Sequence, residues 1–147
     1  MENRFRWSKA ASDLNLAPIH CCFLRIDYHQ KRSLISGVKN NHVSALIMVD
    51  AALKLEGEKT SEIAEGIGAA IGVEKYRIEA QAVKAGVPMY AVVVKQSLID
   101  AISVMLKEIA EASDKAVAVA QIIIKEKTKE GDTVLIVGVG NTLGVGH

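Results

Sequence analysis

Aromatic residues are scarce in this sequence: one Trp, two Phe and three Tyr make up 4% of 147 residues. Proteins that bind single-stranded nucleic acid stack bases on aromatic rings, so that class is disfavoured. An excess of positive charge is missing too, since the formal net charge is +1, and no nucleic-acid partner is expected. Cysteine is limited to Cys21 and Cys22, which are adjacent. Neighbours on an extended chain point to opposite faces. That excludes a disulfide framework and a Cys-x-x-Cys metal knuckle. This usage fits a reducing compartment, and the cytoplasm is the expected location. No apolar run reaches about eighteen residues without a charge, so no membrane span is expected. The first residues lack the apolar centre of a secretory signal.

Apolar residues, at 50%, are abundant enough for a sizeable core, and the length suits one domain. Charge and composition are uneven along the chain. Residues 1–40 carry seven Lys or Arg against three acids, a net of +4, which leaves −3 for the remainder. Residues 1–42 hold Trp7, both Phe, both Cys and three of the four His; beyond them the text is Ala, Val, Ile, Leu, Glu, Lys and Gly. The expected division is an atypical N-terminal segment over 1–42, a tail or a disturbed gene start, and an α/β domain over 43–147. Within the irregular first segment, Ser8 to Leu14 fits a short helix, Ile19 to Tyr28 a strand, and Lys31 to Asn41 a polar connection.

Val43 to Val49 is nearly all apolar and fits a helix or a buried strand. From Val49 the alternation is strict, with Val49, Ala51, Leu53 and Leu55 on one side and Asp50, Lys54 and Glu56 on the other. Period two predicts a strand that ends in the turn Glu56-Gly57-Glu58. Lys59-Thr60-Ser61 offers caps for a helix through Ile71, with Glu62 in its first turn. Gly66, Gly68 and Gly72 would then allow close helix packing, with Gly72 as C-cap; a second phosphate-contacting loop is the alternative. Glu74 to Ala85 reads as a helix with Tyr76, Ile78, Ala82 and Val83 at helical spacing, ended by Gly86-Val87-Pro88. Met89 to Val94 reads as a buried parallel strand. Ser97 and Asp100 form a capping box for a helix over Leu98 to Ala112. Ser113-Asp114 would cap another helix to about Lys127, with Val117, Ala120, Gln121 and Ile124 on one side. Gly131-Asp132 turns into a last strand from Thr133.

Strands alternating with helices predict a three-layer α/β fold, a mostly parallel sheet with flanking helices, Rossmann-like in kind. In such a sheet the carboxyl ends of the strands share an edge, where ligands bind. Three ends are expected there: Glu56 to Thr60, Lys95 to Ser97, and the turn from Gly138 to Gly144. Together they would gather Glu56, Glu58, Lys95, Ser97, Gly138, Gly140, Asn141, Thr142 and Gly144. Glycines allow close backbone approach, successive N–H groups form an anion-binding concavity, and Asn141 and Thr142 add donors. This set suits a phosphorylated small molecule, with or without magnesium on Glu56 or Glu58. Each part also has a plain role: solvated charge for the Glu-Gly-Glu turn, a cap for Ser97, a surface lysine for Lys95, a tight closing turn for the glycines. The dinucleotide fingerprint needs a helix and an acidic residue after the turn, and the sequence supplies neither. No nucleophile–base pair is visible, so no reaction, cofactor or metal is assigned.

The run Val49 to Thr60, with Glu65-Gly-Ile-Gly-Ala-Ala-Ile-Gly72, Glu74-Lys-Tyr-Arg-Ile-Glu79, Val94-Lys-Gln-Ser97 and Val137-Gly-Val-Gly-Asn-Thr-Leu-Gly144, resembles the C-terminal part of an uncharacterised archaeal family known only as a domain of unknown function. The resemblance covers about residues 43–147 and implies no activity. Val134 to Leu143 is also similar to the opening strand of hydrogenase-maturation endopeptidases. There the motif is followed by acidic metal ligands, which this sequence lacks, so that activity does not carry over. The expected function is an uncharacterised α/β domain binding a nucleotide or other phosphorylated ligand at the C-terminal turn. The alternative is a non-catalytic structural or homo-oligomerisation domain whose faces Gly66 to Gly72 and Ala116 to Ala120 pack between subunits.

Overall fold

The structure is a computed structural model that describes residues 20–26, 42–68 and 75–139, with the backbone alone at 20–26, 75–77 and 139. Its elements are β1 (His20–Ile26), β2 (Ala45–Leu53), β3 (Ile63–Ile67), α1 (Lys75–Ala85), β4 (Met89–Gln96), α2 (Leu98–Ile102), α3 (Lys107–Lys127) and β5 (Thr133–Val139). The strands form one sheet in the order β1-β5-β2-β4-β3. β1, β5, β2 and β4 are mutually parallel, and β3 runs antiparallel along β4. This is a mixed α/β sheet with helices.

The sheet is covered on both faces because β2, β4 and β5 are apolar at successive positions. Ala45, Ile47, Val92, Val94, Val134 and Ile136 face α3, meeting Ile109, Ala112, Ala116, Ala120, Ile123 and Ile124. Leu46, Met48, Met89, Leu135 and Val137 face the other way and pack with Ile78 and Ala82 of α1. Leu46, Ile47, Val92 and Val134 are wholly removed from solvent, each side chain contributing about 1.5–3 kcal/mol.

The final strand lies inside the sheet, between β1 and β2 and parallel to both. The strand expected over Ile19 to Tyr28 forms as β1, within a segment otherwise expected to be irregular, and pairs with β5 from His20–Thr133 to Ile26–Val139. The helix expected over Ser8 to Leu14 and the connection over Lys31 to Asn41 lie outside the described residues.

Two helical expectations are corrected. No helix follows Ser61; the chain enters β3 instead. Ser61 takes φ +67 and its N–H donates to the Lys95 carbonyl, while the Lys95 N–H donates to the Glu62 carbonyl. Pairing with β4 thus satisfies backbone groups that a helix would have satisfied locally, and Gly66 and Gly68 weaken the helical option by about 1 kcal/mol each. Gly66 therefore lies in an edge strand opposite Ala91, and Gly68, at φ +113, ends it; Gly72 lies outside the described residues.

The helix expected over Leu98 to Ala112 stops at Ile102, and α3 runs unbroken through Ser113-Asp114. The apolar stripe Ile109, Ala112, Ala116, Ala120, Ile123 crosses those two residues in phase, so burial overrides the local capping signal. Ser113 Oγ donates to the Ile109 carbonyl within the helix. The side expected to be apolar is partly wrong: Val117 is exposed, and Ala116 is the residue that touches the sheet.

Candidate functional site

Because β2, β4 and β5 are parallel, their carboxyl ends leave the sheet on one edge. The register fixes their relative heights. Gly138 stands opposite Val49, and Val49 stands opposite Val92. Lys95 is therefore three residues farther along, about 10 Å, and two strands across, about another 10 Å. Lys95 continues the Ala91–Val93 row on the α1 face, whereas Gly138 continues the Val134–Ile136 row on the α3 face. A ligand reaching both groups straddles the strand ends.

The continuations of β2 and β4 separate at this edge. The chain leaving β2 crosses the end of β4 into β3, which stays in the sheet and runs back to the start of β4, where Gly68 N–H donates to the Met89 carbonyl; the chain leaving β4 passes through α2 to α3, which packs on one face. In open α/β sheets ligands bind beyond the carboxyl ends of such parallel strands.

The β2–β3 loop lies at this edge, against the end of β4. Its two ends are tied to β4 by main-chain bonds, Lys54 N–H to the Gln96 carbonyl at 2.9 Å and Ser61 N–H to the Lys95 carbonyl at 2.8 Å. Between these ties, Lys95 Nζ bonds Glu58 Oε1 at 2.6 Å and approaches Glu62 Oε2 at 3.6 Å. The Lys95 side chain is only 16% exposed. Glu58 Oε2 also accepts from the Leu55 N–H at 2.8 Å. The lysine bond and the Leu55 amide hold the Glu58 carboxyl below its ordinary pKa, against a smaller opposing effect of burial. Glu58 in turn raises the Lys95 ammonium above its ordinary value, with smaller help from Glu62.

The next strand end is held by a capping box. Ser97 Oγ accepts from the Asp100 N–H at 3.1 Å and donates to Asp100 Oδ2 at 2.6 Å, which also accepts from the Ser97 N–H at 3.0 Å. Thr60 Oγ1 reaches the same oxygen at 3.4 Å, linking the β2–β3 loop to α2. The Ser97 bonds lower the Asp100 pKa, and Thr60 adds a smaller effect in the same direction.

Glu58, Lys95 and Ser97 thus sit at one edge of the sheet, with the first two in contact. Glu56 is in the same loop and exposed. Gly138, next to the last described residue of β5, lies on the same edge with open space where a side chain would stand. Gly140, Asn141, Thr142 and Gly144 lie outside the described residues. Glu62 was missed as a site residue because it was read as the first turn of a helix. Its signal was a third carboxylate in a short loop between strands. Among the described residues, no group of three or more His, Cys, Asp or Glu is placed to hold a metal, and no helix is long and apolar enough to cross a membrane.

A family model described as Domain of unknown function (DUF1512) C-terminal matches residues 29–146. No curated protein matches the chain, and no solved structure does.

Proposed function

The chain belongs to the DUF1512 C-terminal family, a domain of unknown function, and from that premise we propose that it is a module binding a nucleotide or other phosphorylated small molecule. The site is the carboxyl edge of the sheet, used as a Rossmann-like fold uses it. One observation carries this reading: β5 is an interior strand, parallel to β1 and β2, so its carboxyl end, at Gly138 and Val139, lies on the edge where Lys95 stands. Lys95 supplies the cation, Gly138 and Gly140 the open backbone, and Asn141, Thr142 and Gly144 the donors and close approach of the turn. Ser97, Glu56 and Glu58 flank this edge.

A thermal-shift screen against nucleotides and sugar phosphates tests it. A ligand at a hundred times its Kd stabilises the fold by about 2.7 kcal/mol. Asn141→Ala and Thr142→Ala are expected to lose that shift; a shift that survives both, or none with any ligand, counts against the reading.

A second reading, a structural or oligomerisation module, draws on a different observation. Leu98, Ile99, Ile102, Val104 and Leu106 are all exposed within nine residues, an apolar concentration of the kind found at contact surfaces. The alanine face of α3 does not serve it, because Ala116 and Ala120 are spent against the sheet. Light scattering separates the two: a dimer lost on Ile99→Asp with no ligand-induced shift favours the second.

A further inference from the structure

We propose that Glu58 is a built-in competitor for the anion: its carboxylate holds the Lys95 ammonium until a phosphate group displaces it, and the 55–59 turn swings away when it does. This rests on the reading of the sheet edge as a phosphate site.

The charge count at Lys95 leads to it. One ammonium faces two carboxylates, at 2.6 Å and 3.6 Å, so the cluster is net negative. A phosphate brought to this arrangement meets repulsion from the carboxylates. Lys95 therefore becomes an anion ligand only when Glu58 leaves.

The loop is built so that Glu58 alone can leave. Lys54 and Ser61 fix its ends to β4 through main-chain bonds, and Thr60 adds a bond to Asp100 near the second end. Between them, among the described residues, the Lys95–Glu58 pair is the tie that holds the turn to β4. Gly57 at the tip has φ +88 and nothing within 4 Å of where a side chain would stand. Leu55 and Glu56 beside it are exposed. A tip pinned by one ion pair, between fixed ends, moves without disturbing the sheet.

Calorimetric titration of the full chain with inorganic phosphate, at fixed ionic strength near neutral pH, tests the inference. Glu58→Gln is expected to bind phosphate about fivefold more tightly than the wild type, the size of a partly exposed ion pair, and Lys95→Met to bind none. Wild-type binding that Glu58→Gln leaves equal or weakens overturns the competitor while the phosphate site stands. No binding by either protein removes the site and the competitor with it. A measurement on the unaltered chain guards against a variant that folds poorly. The Glu58 carboxyl, followed by carbon NMR through an acid titration, is expected to move up toward the ordinary glutamate pKa when phosphate is present; an unmoved value overturns the proposal.

Discussion

Lys95 Nζ lies 2.6 Å from Glu58 Oε1, and that contact joins the last turn of β4 to the loop that leaves β2. The pair makes stability depend on pH in a defined direction. The folded chain holds the Glu58 proton less tightly than the unfolded chain does. Its contribution is complete above the ordinary glutamate value of 4.5 and is lost as pH falls through the lowered folded value. Lys95 acts at the other end: its contribution is present below 10.5 and is lost as pH rises through the raised folded value. Urea unfolding across the pH range is expected to show both arms in the wild type and shallower arms in Lys95→Met. The acid arm survives in part, because the Leu55 amide still favours the charged Glu58. Superimposable profiles would show that the pair carries no pH dependence.

Ser97 caps a helix that buries nothing, so its loss is expected to be local. Ser97→Ala removes an N-cap worth about 1 kcal/mol. Since α2 has no buried residue, that cost appears as faster amide exchange over Leu98–Ile102, with little change in the global melting temperature. Protection there that matches the wild type would mean the box does not hold α2.

The elements most legible in the sequence are those whose signals are local. β5 is a β-branched run between Gly131-Asp132 and Gly138, β2 alternates from Val49 after an apolar run that fitted helix or strand alike, and the Ser97–Asp100 spacing is a capping box that forms. β3 was not legible, because its strand character comes from backbone partners on β4, 23 to 31 residues away in sequence. Lys59-Thr60-Ser61 offered a convincing local cap that nothing distant contradicted. The same weakness placed a helix start at Ser113, where the long apolar face of α3 overrides it. For the site, the pairing of Glu58 with Lys95 was within reach, because both lie at strand ends expected on one edge. Glu62 was lost with the false helix.

Two backbone positions give a reciprocal test. Gly86 sits at φ +68 after α1. Its N–H donates to the Val83 carbonyl, and the Val87 N–H donates to the Ala82 carbonyl, as in a Schellman close. Nothing lies within 4 Å of an added side chain there, so Gly86→Ala is expected to cost about 1 kcal/mol through conformation alone. Ser61 is the opposite case, a residue with a side chain held at φ +67. Ser61→Gly relieves a similar strain, less the added entropy of the unfolded chain, and is expected to be neutral or slightly stabilising. A destabilised Ser61→Gly in chemical denaturation would mean its hydroxyl matters more than its backbone.

The contact of α3 with the sheet depends on small side chains. Ala112, Ala116 and Ala120 are almost wholly buried against the strands, so the helix approaches closely and leaves no room for growth. Ala116→Leu is expected to cost about 1–3 kcal/mol by overpacking. Val117→Leu, on the exposed side one residue on, is expected to stay within about 0.5 kcal/mol. Equal effects in equilibrium unfolding would show that the helix faces are assigned wrongly.

Gly138 separates a glycine needed by the fold from one needed by a ligand. It lies in β5, its φ is outside the left-handed range, and open space stands where its side chain would be. Neither backbone conformation nor packing in the described structure requires glycine there. Gly138→Ala is therefore expected to fold with unchanged or slightly higher stability, since alanine lowers the entropy of the unfolded chain by about 0.4–1 kcal/mol. The added methyl stands on the α3 face, where, on the proposed reading, a ligand bridging toward Lys95 would cross the strand ends. Phosphate or nucleotide affinity is then expected to fall while the melting curve does not. If stability falls instead, the open space is filled by residues outside the described structure, and Gly138 serves packing. If neither quantity changes, a bound ligand passes elsewhere along the edge, and the share of the site assigned to Gly138 is withdrawn.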